Sequence, residues 1–295
     1  MRAGRLLVAA GALACGIAVS GVATQAGLKP AESALVTRYV GAIAAHRYAV
    51  AFDLLEAPEQ RYFQSVANFS SVFQADRLDV VRFRIIGSTR RPPLGAVALV
   101  RERVSFYDHA QHALVKADMT VPYGVTAPLR IKDPYHPWRA FAPAGVSGHS
   151  AGLRVVVRKL SFFTGRLETI LTFANTGPRA VTVLPYGRSV LRDQDGKPYT
   201  PLATRLPSLT DPTLYTGLRL PPDAQYTGLM TFVTPGRFVA TSLDFSFGPV
   251  LVDGGGQPFE IALPRYFVPR LSAVAVARAL QRCHGSERTR CMPAT

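Results

Sequence analysis

The most apolar stretch of the chain lies at its N-terminus. The run from Leu6 to Ala23 contains no charged residue, and Arg2 and Arg5 precede it. Basic residues followed by an apolar run and small residues are typical of an export signal. The run has 18 residues, about 27 Å as a helix, which is just enough to span a thin bilayer. Residues 1–26 are therefore predicted to be a signal peptide or a membrane anchor.

Lipidation at Cys15 is a third alternative for this leader. The segment Ala12-Leu13-Ala14-Cys15 resembles a bacterial lipobox, although Ala12 and Leu13 differ from its usual residues and the apolar run continues past Cys15. The sequence leaves cleavage, retention and lipidation open. All three predict that the rest of the chain is exported, to the extracellular face of the membrane or into the medium.

Helical periodicity begins directly after the leader. Pro30 suits a first helical turn, and the pattern predicts a helix to about residue 43. Four apolar positions form one stripe along it: Leu35, Tyr39, Ala42 and Ile43. The same spacing predicts a second helix over about 47–55 and a third over about 59–74.

The pattern then changes from helical to alternating. Alternation over 81–85, 100–106 and 114–121 predicts half-buried strands, with one hairpin turning at Asp108-His109-Ala110-Gln111. A short strand over 138–141 is expected to close this unit. Helices packed on an antiparallel sheet make an α+β domain, which we assign to residues 27–143.

The second half of the chain has strand texture throughout. Residues 144–152 lack apolar periodicity and predict a linker. Seven strands follow within residues 153–264, which favours an all-β sandwich; they cover 153–157, 167–173, 181–184, 189–191, 228–233, 243–247 and 259–263. The Pro-rich stretch 199–222 is predicted to be a long surface loop. Residues 265–295 are predicted to be a basic C-terminal tail with one short helix at about 271–280.

Several residues of the first domain match one fold family. They are Tyr39 in the first helix, Ala49-Val50-Ala51-Phe52-Asp53-Leu54-Leu55 in the second, Phe69 and Phe73 in the third, and the closing Trp138. With these residues the domain resembles the NTF2-like family, found in many bacterial envelope proteins. The resemblance implies a cone of three helices on a curved antiparallel sheet.

Two turns of the second domain carry another resemblance. Thr172-Phe173-Ala174-Asn175-Thr176-Gly177 ends a strand in an Asn-x-Gly turn, and a later hairpin reads Asp193-Gln194-Asp195-Gly196 before Tyr199. These segments resemble the telokin-like, immunoglobulin-type sandwich of exported bacterial proteins. The resemblance implies an immunoglobulin-like β-sandwich that serves as an extracellular accessory or adhesive module without enzymatic activity.

The chain is strongly basic. Its 34 Lys and Arg against 19 Asp and Glu give a formal net charge of +15. The tail is the most basic part for its length, with six arginines against Glu287. For an exported protein the anionic partners of such a surface are phospholipid headgroups and wall polymers. No nucleic-acid-binding motif is present, so nucleic acid is not an expected partner.

Cysteine usage fits an exported chain. Apart from Cys15, the chain contains only Cys283 and Cys291. A pair of cysteines outside the cytoplasm is predicted to form a disulfide, which would close a small loop near the C-terminus.

Each candidate chemical motif lacks some of the residues that its chemistry requires. The Asp193–Gly196 segment begins like a calcium loop, but position 202 is Leu where such a loop needs an acid, so we interpret it as a hairpin turn. His109 and His112 lie on an exposed turn without further ligands in sequence. We therefore assign no catalytic residue, cofactor or metal.

The expected function is that of a non-enzymatic envelope protein, a binding or accessory module for a protein or an anionic wall partner. The alternative is a small-molecule carrier or enzyme that uses the cone cavity. Asp118, Tyr107 and Tyr123 are its candidate residues, although alternation places Asp118 in phase with Lys116, towards solvent.

Overall fold

The computed structural model describes residues 27–91, 95–109, 111–133, 136–204, 209 and 211–270. The leader with Cys15, the predicted helix at 271–280, and the Cys283 and Cys291 pair lie outside the described residues. Among the described helices, none has the length and apolar character needed to cross a membrane.

Helices are concentrated in the first part of the chain and strands in the rest. The helices of the described residues are α1 (Pro30–Ala44), α2 (Tyr48–Leu54), α3 (Ala57–Phe63), α4 (Val66–Ala75), α5 (Pro185–Arg188) and α6 (Pro212–Thr216). The strands up to the middle of the chain are β1 (Asp79–Arg91), β2 (Gly95–Asp108), β3 (Ala113–Thr126), β4 (Arg130–Lys132), β5 (Arg139–Phe141), β6 (Ser147–Ser150) and β7 (Leu153–Asn175). Those that follow are β8 (Val181–Val183), β9 (Val190–Arg192), β10 (Pro198–Tyr199), β11 (Leu218–Leu220), β12 (Gln225–Arg237), β13 (Ser242–Val252), β14 (Phe259–Ala262) and β15 (Tyr266–Phe267). The expectation of a β-rich chain is confirmed.

The chain divides into two units. The N-terminal unit contains the described residues up to 106 and those from 114 to 139, together with 269–270. The C-terminal unit contains residues 140–268 and the hairpin tip at 107–113. Each has its own core, and each is described by itself below.

The helices of the N-terminal unit follow the predicted periodicity with one break. The predicted third helix is two helices, because Gln64 adopts a left-handed conformation at φ 67° and ends α3. Ser65 then caps α4, its side-chain oxygen accepting the Asn68 N–H at 3.1 Å. A serine cap satisfies an amide that would otherwise lack a partner at the helix start.

The four strands of this unit form an antiparallel sheet in the order β1-β2-β3-β4. Along β2 the inner face carries Val100, Glu102 and Val104, which are buried in the core under the helices. A bulge between Val80 and Arg82 shifts the phase of β1. Val80 before the bulge and Phe83 and Ile85 after it therefore face the core.

Two antiparallel sheets build the C-terminal unit. In the described residues one has the order β10-β9-β13-β8-β11, with β14 and β15 also pairing β13, and the other has the order β12-β7-β5, with β6 pairing β7. Their inner faces meet through phenylalanines: Phe232 lies 6.1 Å from Phe245 between ring centres, and Phe173 lies 6.2 Å from Phe247. The unit is thus a sandwich with an aromatic core.

Two strand predictions for this region are wrong. The predicted strands at 153–157 and 167–173 are parts of the single strand β7, because Gly165, at φ 84°, sits in a register irregularity opposite β12 instead of making a turn. The short strand at 138–141 does not close the N-terminal sheet. It becomes β5 in the sheet with β7, where Phe141 packs edge-on against Phe162 at 5.9 Å.

Candidate functional site

The N-terminal unit buries a group of polar side chains that come from distant parts of the chain. We call it the tyrosine–carboxylate cluster; its members are Tyr39 on α1, Glu102 on β2, Tyr123 on β3, and Asp133 and His136 after β4. Tyr39, Glu102, Tyr123 and Asp133 are each at least nine-tenths buried. Buried groups of this kind need partners, because their desolvation is otherwise unfavourable.

The members of the cluster supply one another's partners. The Tyr39 hydroxyl donates to Asp133 Oδ2, and the Tyr123 hydroxyl donates to Glu102 Oε1 at 2.7 Å. The two tyrosine rings meet edge-on with their centres 5.5 Å apart. His136 Nε2 lies 3.5 Å from Asp133 Oδ1, and Tyr62 donates to the His136 carbonyl at 2.9 Å. Two hydrogen-bonded pairs, Tyr39 with Asp133 and Tyr123 with Glu102, therefore meet through their tyrosine rings within an apolar core.

Burial changes the acidity of the cluster. It raises the pKa of Glu102 to about 7, with a further rise from the Asp133 charge, while the hydrogen bond from Tyr123 acts in the opposite direction. Burial also raises the pKa of both tyrosines well above their ordinary value, and the neighbouring carboxylates add to this effect. The tyrosines are thus fixed as neutral donors, and the carboxyl group of Glu102 titrates near neutral pH.

A second carboxyl group shares this field. Burial, followed by the charges of Asp133 and Glu56, raises the pKa of Glu59 to about 7, against the effect of Lys132 and His136. The charge of Asp133 thus raises the pKa of both Glu59 and Glu102.

Chemically, this arrangement contains a carboxyl group able to exchange a proton near neutral pH beside two hydroxyl donors. Such a set is able to serve acid–base chemistry in a cavity. Here, however, each hydroxyl is engaged with a carboxylate of the same cluster. A substrate would have to displace one of these hydrogen bonds to reach either tyrosine.

A groove lies elsewhere on the N-terminal unit. It has a volume of about 660 Å³ and is lined by Phe52, Ala57, Gln60, Arg61 and Gln64. The amide of Gln60 donates to the Phe52 carbonyl at 3.0 Å across it. None of its lining residues belongs to the tyrosine–carboxylate cluster, so the groove is a feature of the helical surface.

The structure separates the residues that the cone alternative grouped together. Tyr123 is buried in the cluster, whereas Asp118 is 56% exposed, with an oxygen 4.0 Å from Arg103 Nη1. The solvent-facing phase predicted for Asp118 is confirmed. Tyr107 belongs to the C-terminal unit, where its ring lies 5.1 Å from that of His109.

The histidines of the β2–β3 turn are not both exposed as predicted. His109 is buried, because its ring packs edge-on against Tyr107. Burial lowers the pKa of His112, and the nearby charge of Arg158 lowers it further. Within the described parts of the chain, no group of three His, Cys, Asp or Glu side chains is arranged to hold a metal ion.

The hairpin turn predicted at Asp193 is confirmed. Asp193 Oδ1 accepts the N–H groups of Asp195 and Lys197, both at 3.0 Å, and Oδ2 accepts the Tyr199 hydroxyl at 2.7 Å. Burial alone would raise the pKa of Asp193, but these hydrogen bonds outweigh it and lower the pKa. The carboxylate therefore stabilises a turn with its own oxygens.

The Asn-x-Gly segment is also structural. Buried Asn175 donates to the carbonyls of Arg179 at 2.8 Å and Leu220 at 3.0 Å, and its side-chain oxygen accepts the Gly177 N–H at 3.0 Å. These bonds tie the end of β7 to the neighbouring loop and to β11.

The described part of the basic tail begins with an ion pair. The Arg265 guanidinium donates to both carboxylate oxygens of Asp244 on β13, and the shortest of these hydrogen bonds is 2.7 Å. The other arginines of the predicted tail surface beyond Arg270, and the Cys283 and Cys291 pair, lie outside the described residues.

Sequence reasoning missed Glu102 and Asp133. A signal for Glu102 was present, because strand alternation places it in phase with Val100 and Val104, on the buried face. No comparable local signal marks Asp133. Its partner Tyr39 is 94 residues away, and only the fold brings them together.

Comparisons with known proteins add little to this geometry. No protein-family model matches the chain, and no curated protein matches it. Among solved structures, the chain is similar to the yjhA protein from Bacillus subtilis, with 18% identity over 36% of this chain and 78% of that chain and a TM-score of 0.28. A similarity at this level supports no statement about fold or function.

Proposed function

We propose that this chain is an exported, non-enzymatic envelope protein that binds an anionic surface or a partner protein outside the cytoplasm. In this proposal the N-terminal unit is an NTF2-like domain and the C-terminal unit an immunoglobulin-like, telokin-type module. The leader directs export, and Cys283 and Cys291 form a disulfide with each other outside the cytoplasm. Binding takes place on the outer surfaces of the two units.

The observation that carries this proposal is how the N-terminal unit uses its interior. The tyrosines that would line a cavity in a cone-shaped domain are buried against each other, and their hydroxyls bind buried carboxylates. Packing of this kind favours a structural role for the cluster. Function is then left to the surface, where the net charge of +15 favours anionic partners.

Export and surface binding are tested together. Residues 1–40 fused to a reporter that is active only outside the cytoplasm should give a signal, and a reporter that stays cytoplasmic would refute export. The exported protein should also bind envelope fragments at about 0.1 M salt and dissociate at about 1 M, where the screening length falls from about 10 Å to about 3 Å. Deletion of residues 270–295 should weaken this binding, since the tail contributes basic side chains.

The role of the cluster has its own test, the variant Tyr123→Phe. It keeps the ring and removes the hydroxyl that donates to Glu102. A structural cluster predicts lower stability of the N-terminal unit with unchanged binding of envelope fragments. Loss of binding by a variant that remains folded would contradict the proposal.

One observation favours a second candidate function, a small-molecule carrier or enzyme. Glu102, with its pKa near 7, lies beside two neutral tyrosine donors in an apolar core. If the core opens to a ligand, an apolar fluorescent dye should bind the folded protein, and Tyr123→Phe or Glu102→Gln should change its affinity. Dye binding that both variants leave unchanged would exclude the cluster as the site.

A further inference from the structure

The outer face of the N-terminal sheet carries a dense group of basic side chains. We call it the arginine face; it consists of Arg82 and Arg84 on β1 and Arg101 and Arg103 on β2. All four project from the side of the sheet opposite the buried core positions Val100, Glu102 and Val104. Arg82, Arg84 and Arg101 are exposed, and the Arg103 side chain is 43% exposed.

The register places these arginines directly against one another. Arg82 is opposite Arg103, and Arg84 is opposite Arg101. Opposed residues of an antiparallel pair have Cα atoms about 5 Å apart, and alternate residues of one strand are about 7 Å apart. Four guanidinium groups therefore originate from a rectangle of about 5 by 7 Å.

Little negative charge balances this face. The third strand, β3, adds Lys116 and Asp118 in the same alternating phase. Asp118 lies 4.0 Å from Arg103, a loose and exposed pair. Among the described residues, no acidic side chain forms an ion pair with Arg82, Arg84 or Arg101.

Such an arrangement is unfavourable for the fold itself. Like charges directly opposite on neighbouring strands destabilise a sheet. The outer positions of β1 and β2 are exposed, so they need polar side chains. Neutral side chains, or charges of both signs, would meet this need without the repulsion. An anionic partner would relieve the repulsion, which indicates that the face is built for binding.

We propose that the arginine face binds the anionic phospholipid headgroups of a membrane surface, an inference that rests on the proposed function and assigns it a site. Guanidinium groups match phosphate oxygens in bidentate geometry. The face is a two-dimensional array on an open sheet, which suits a layer of phosphates better than a single polymer strand.

Exposed apolar side chains on the same strand favour the membrane over a wall polymer. Val81 and Ile86 are the residues at the two register irregularities of β1, and they are 57% and 41% exposed. Apolar side chains beside basic ones are typical of proteins that lie at the boundary between headgroups and acyl chains. A hydrophilic, phosphate-rich polymer would gain nothing from them.

The test measures sedimentation of the exported protein with vesicles of equal parts phosphatidylglycerol and phosphatidylcholine, and with vesicles of phosphatidylcholine alone. A retained leader would bind both kinds of vesicle at any salt concentration. Only the part of the binding that needs phosphatidylglycerol and is lost at about 1 M salt therefore counts. The unaltered protein is expected to show such binding.

The decisive variant neutralises the face: Arg82→Gln, Arg84→Gln, Arg101→Gln and Arg103→Gln together. A basic residue near an anionic membrane contributes about five-fold in affinity, so the variant should bind at least about 100-fold more weakly. The matched control removes the same charge from exposed positions of the C-terminal unit with Arg154→Gln, Arg179→Gln, Arg188→Gln and Lys197→Gln. It should bind within a few-fold of the unaltered protein.

Replacement of the same four arginines by lysine keeps the charge and should restore most of the binding. Thermal melting followed by the fluorescence of Trp138, the only tryptophan of the chain, verifies that the N-terminal unit of each variant is folded. If the fourfold glutamine variant is unfolded, the single variants Arg84→Gln and Arg101→Gln are measured instead. Each of them should weaken binding about five-fold.

Three results would overturn the inference. Equal losses in the face variant and in the control would show that net charge alone matters. Salt-sensitive binding to wall fragments without binding to anionic vesicles would assign the face to a polymer. Retention of vesicle binding by the face variant would place the site elsewhere. Absence of any binding by the unaltered protein, to vesicles and to envelope fragments alike, would instead refute the proposed function.

Discussion

The interiors of the two units use polar groups in different ways. In the N-terminal unit the buried acids Glu102 and Asp133 lie among the core side chains and bind tyrosine hydroxyls. In the C-terminal unit the sheets meet through phenylalanines, and the buried acid Asp193 holds a hairpin turn through backbone amides. Glu102 and Asp133 thus lie inside a core, whereas Asp193 lies where the backbone needs acceptors.

This difference gives Glu102 and Asp193 opposite responses to pH. Burial dominates at Glu102 and raises its pKa from 4.5 to about 7. Its contribution to folding is therefore most favourable below pH 4.5 and declines as the pH rises through about 7. Hydrogen bonds dominate at Asp193 and lower its pKa below 3.8. That contribution is present above pH 3.8 and is lost as the pH falls through the lower folded value.

A buried carboxylate stabilises a fold only as far as the hydrogen bonds from its donors outweigh its desolvation. Asp193 accepts three hydrogen bonds, two of them from amides held by the turn. Glu102 has one donor, the Tyr123 hydroxyl, and an unfavourable charge nearby at Asp133. At neutral pH the ionised carboxylate therefore stabilises the fold at Asp193 and destabilises it at Glu102.

The largest effect is expected from the aromatic core of the C-terminal unit. Phe245→Ala removes a buried ring that contacts both Phe232 and Phe247, and should lower the free energy of unfolding by about 3–5 kcal/mol. Hydrogen exchange of β12 and β13 should increase at all pH values, because no titrating group is involved. The same change at 73% exposed Phe267 is the control and should have little effect. Equal effects at both positions would contradict the described core.

The next effect sharpens the contrast in pH response. Glu102→Gln keeps an acceptor for Tyr123 and removes the charge, so it should stabilise the N-terminal unit at pH 8 by up to about 3 kcal/mol, at about 1.4 kcal/mol per pKa unit. Near pH 4 the gain should vanish. Denaturant unfolding followed by Trp138 fluorescence measures it, with Asp118→Asn on the exposed face as the control. A loss of stability at pH 8 would show that the charged form is favoured in the fold.

A smaller effect of opposite sign is expected at Asp193. Asp193→Asn removes the charge that accepts the three hydrogen bonds of the turn, and should cost about 1–2 kcal/mol at pH 7. The difference from the unaltered protein should shrink as the pH falls below 3.8. Hydrogen exchange of the β9–β10 hairpin measures this, and Asp195→Asn, at an exposed position of the same turn, is the matched control. A loss independent of pH would remove the electrostatic explanation.

The smallest effect concerns the outer face of the N-terminal sheet. Arg84→Gln combined with Arg101→Gln removes one directly opposed pair of like charges. The free energy of unfolding should rise by about 0.5 kcal/mol, and the gain should fade at high salt. Trp138 fluorescence during denaturant unfolding is again the measurement. A loss of stability would show that these side chains support the sheet through packing of their stems.

The inward positions of Tyr39 and Glu102 can be predicted from the sequence, whereas the position of Asp133 cannot. Alternation in Arg101-Glu102-Arg103 places the glutamate inside and the arginines outside, and Tyr39 falls on the inward stripe of the first helix. Periodicity does not predict which carboxylate accepts the hydrogen bond from the Tyr39 hydroxyl. Asp133 follows a short strand, and its pairing depends on a contact across 94 residues.

The early helices, the alternating strands of the N-terminal sheet and the Asp193 turn are all predicted from the local sequence, as is the excess of positive charge. These follow from local periodicity, turn chemistry and composition. Three features depend on the folded chain as a whole: the break of the predicted third helix at Gln64, the continuation of β7 through Gly165, and the pairing of β5 with β7. The physical reason is that hydrogen-bond partners and burial are settled by groups far away in sequence, and a local pattern allows several such arrangements.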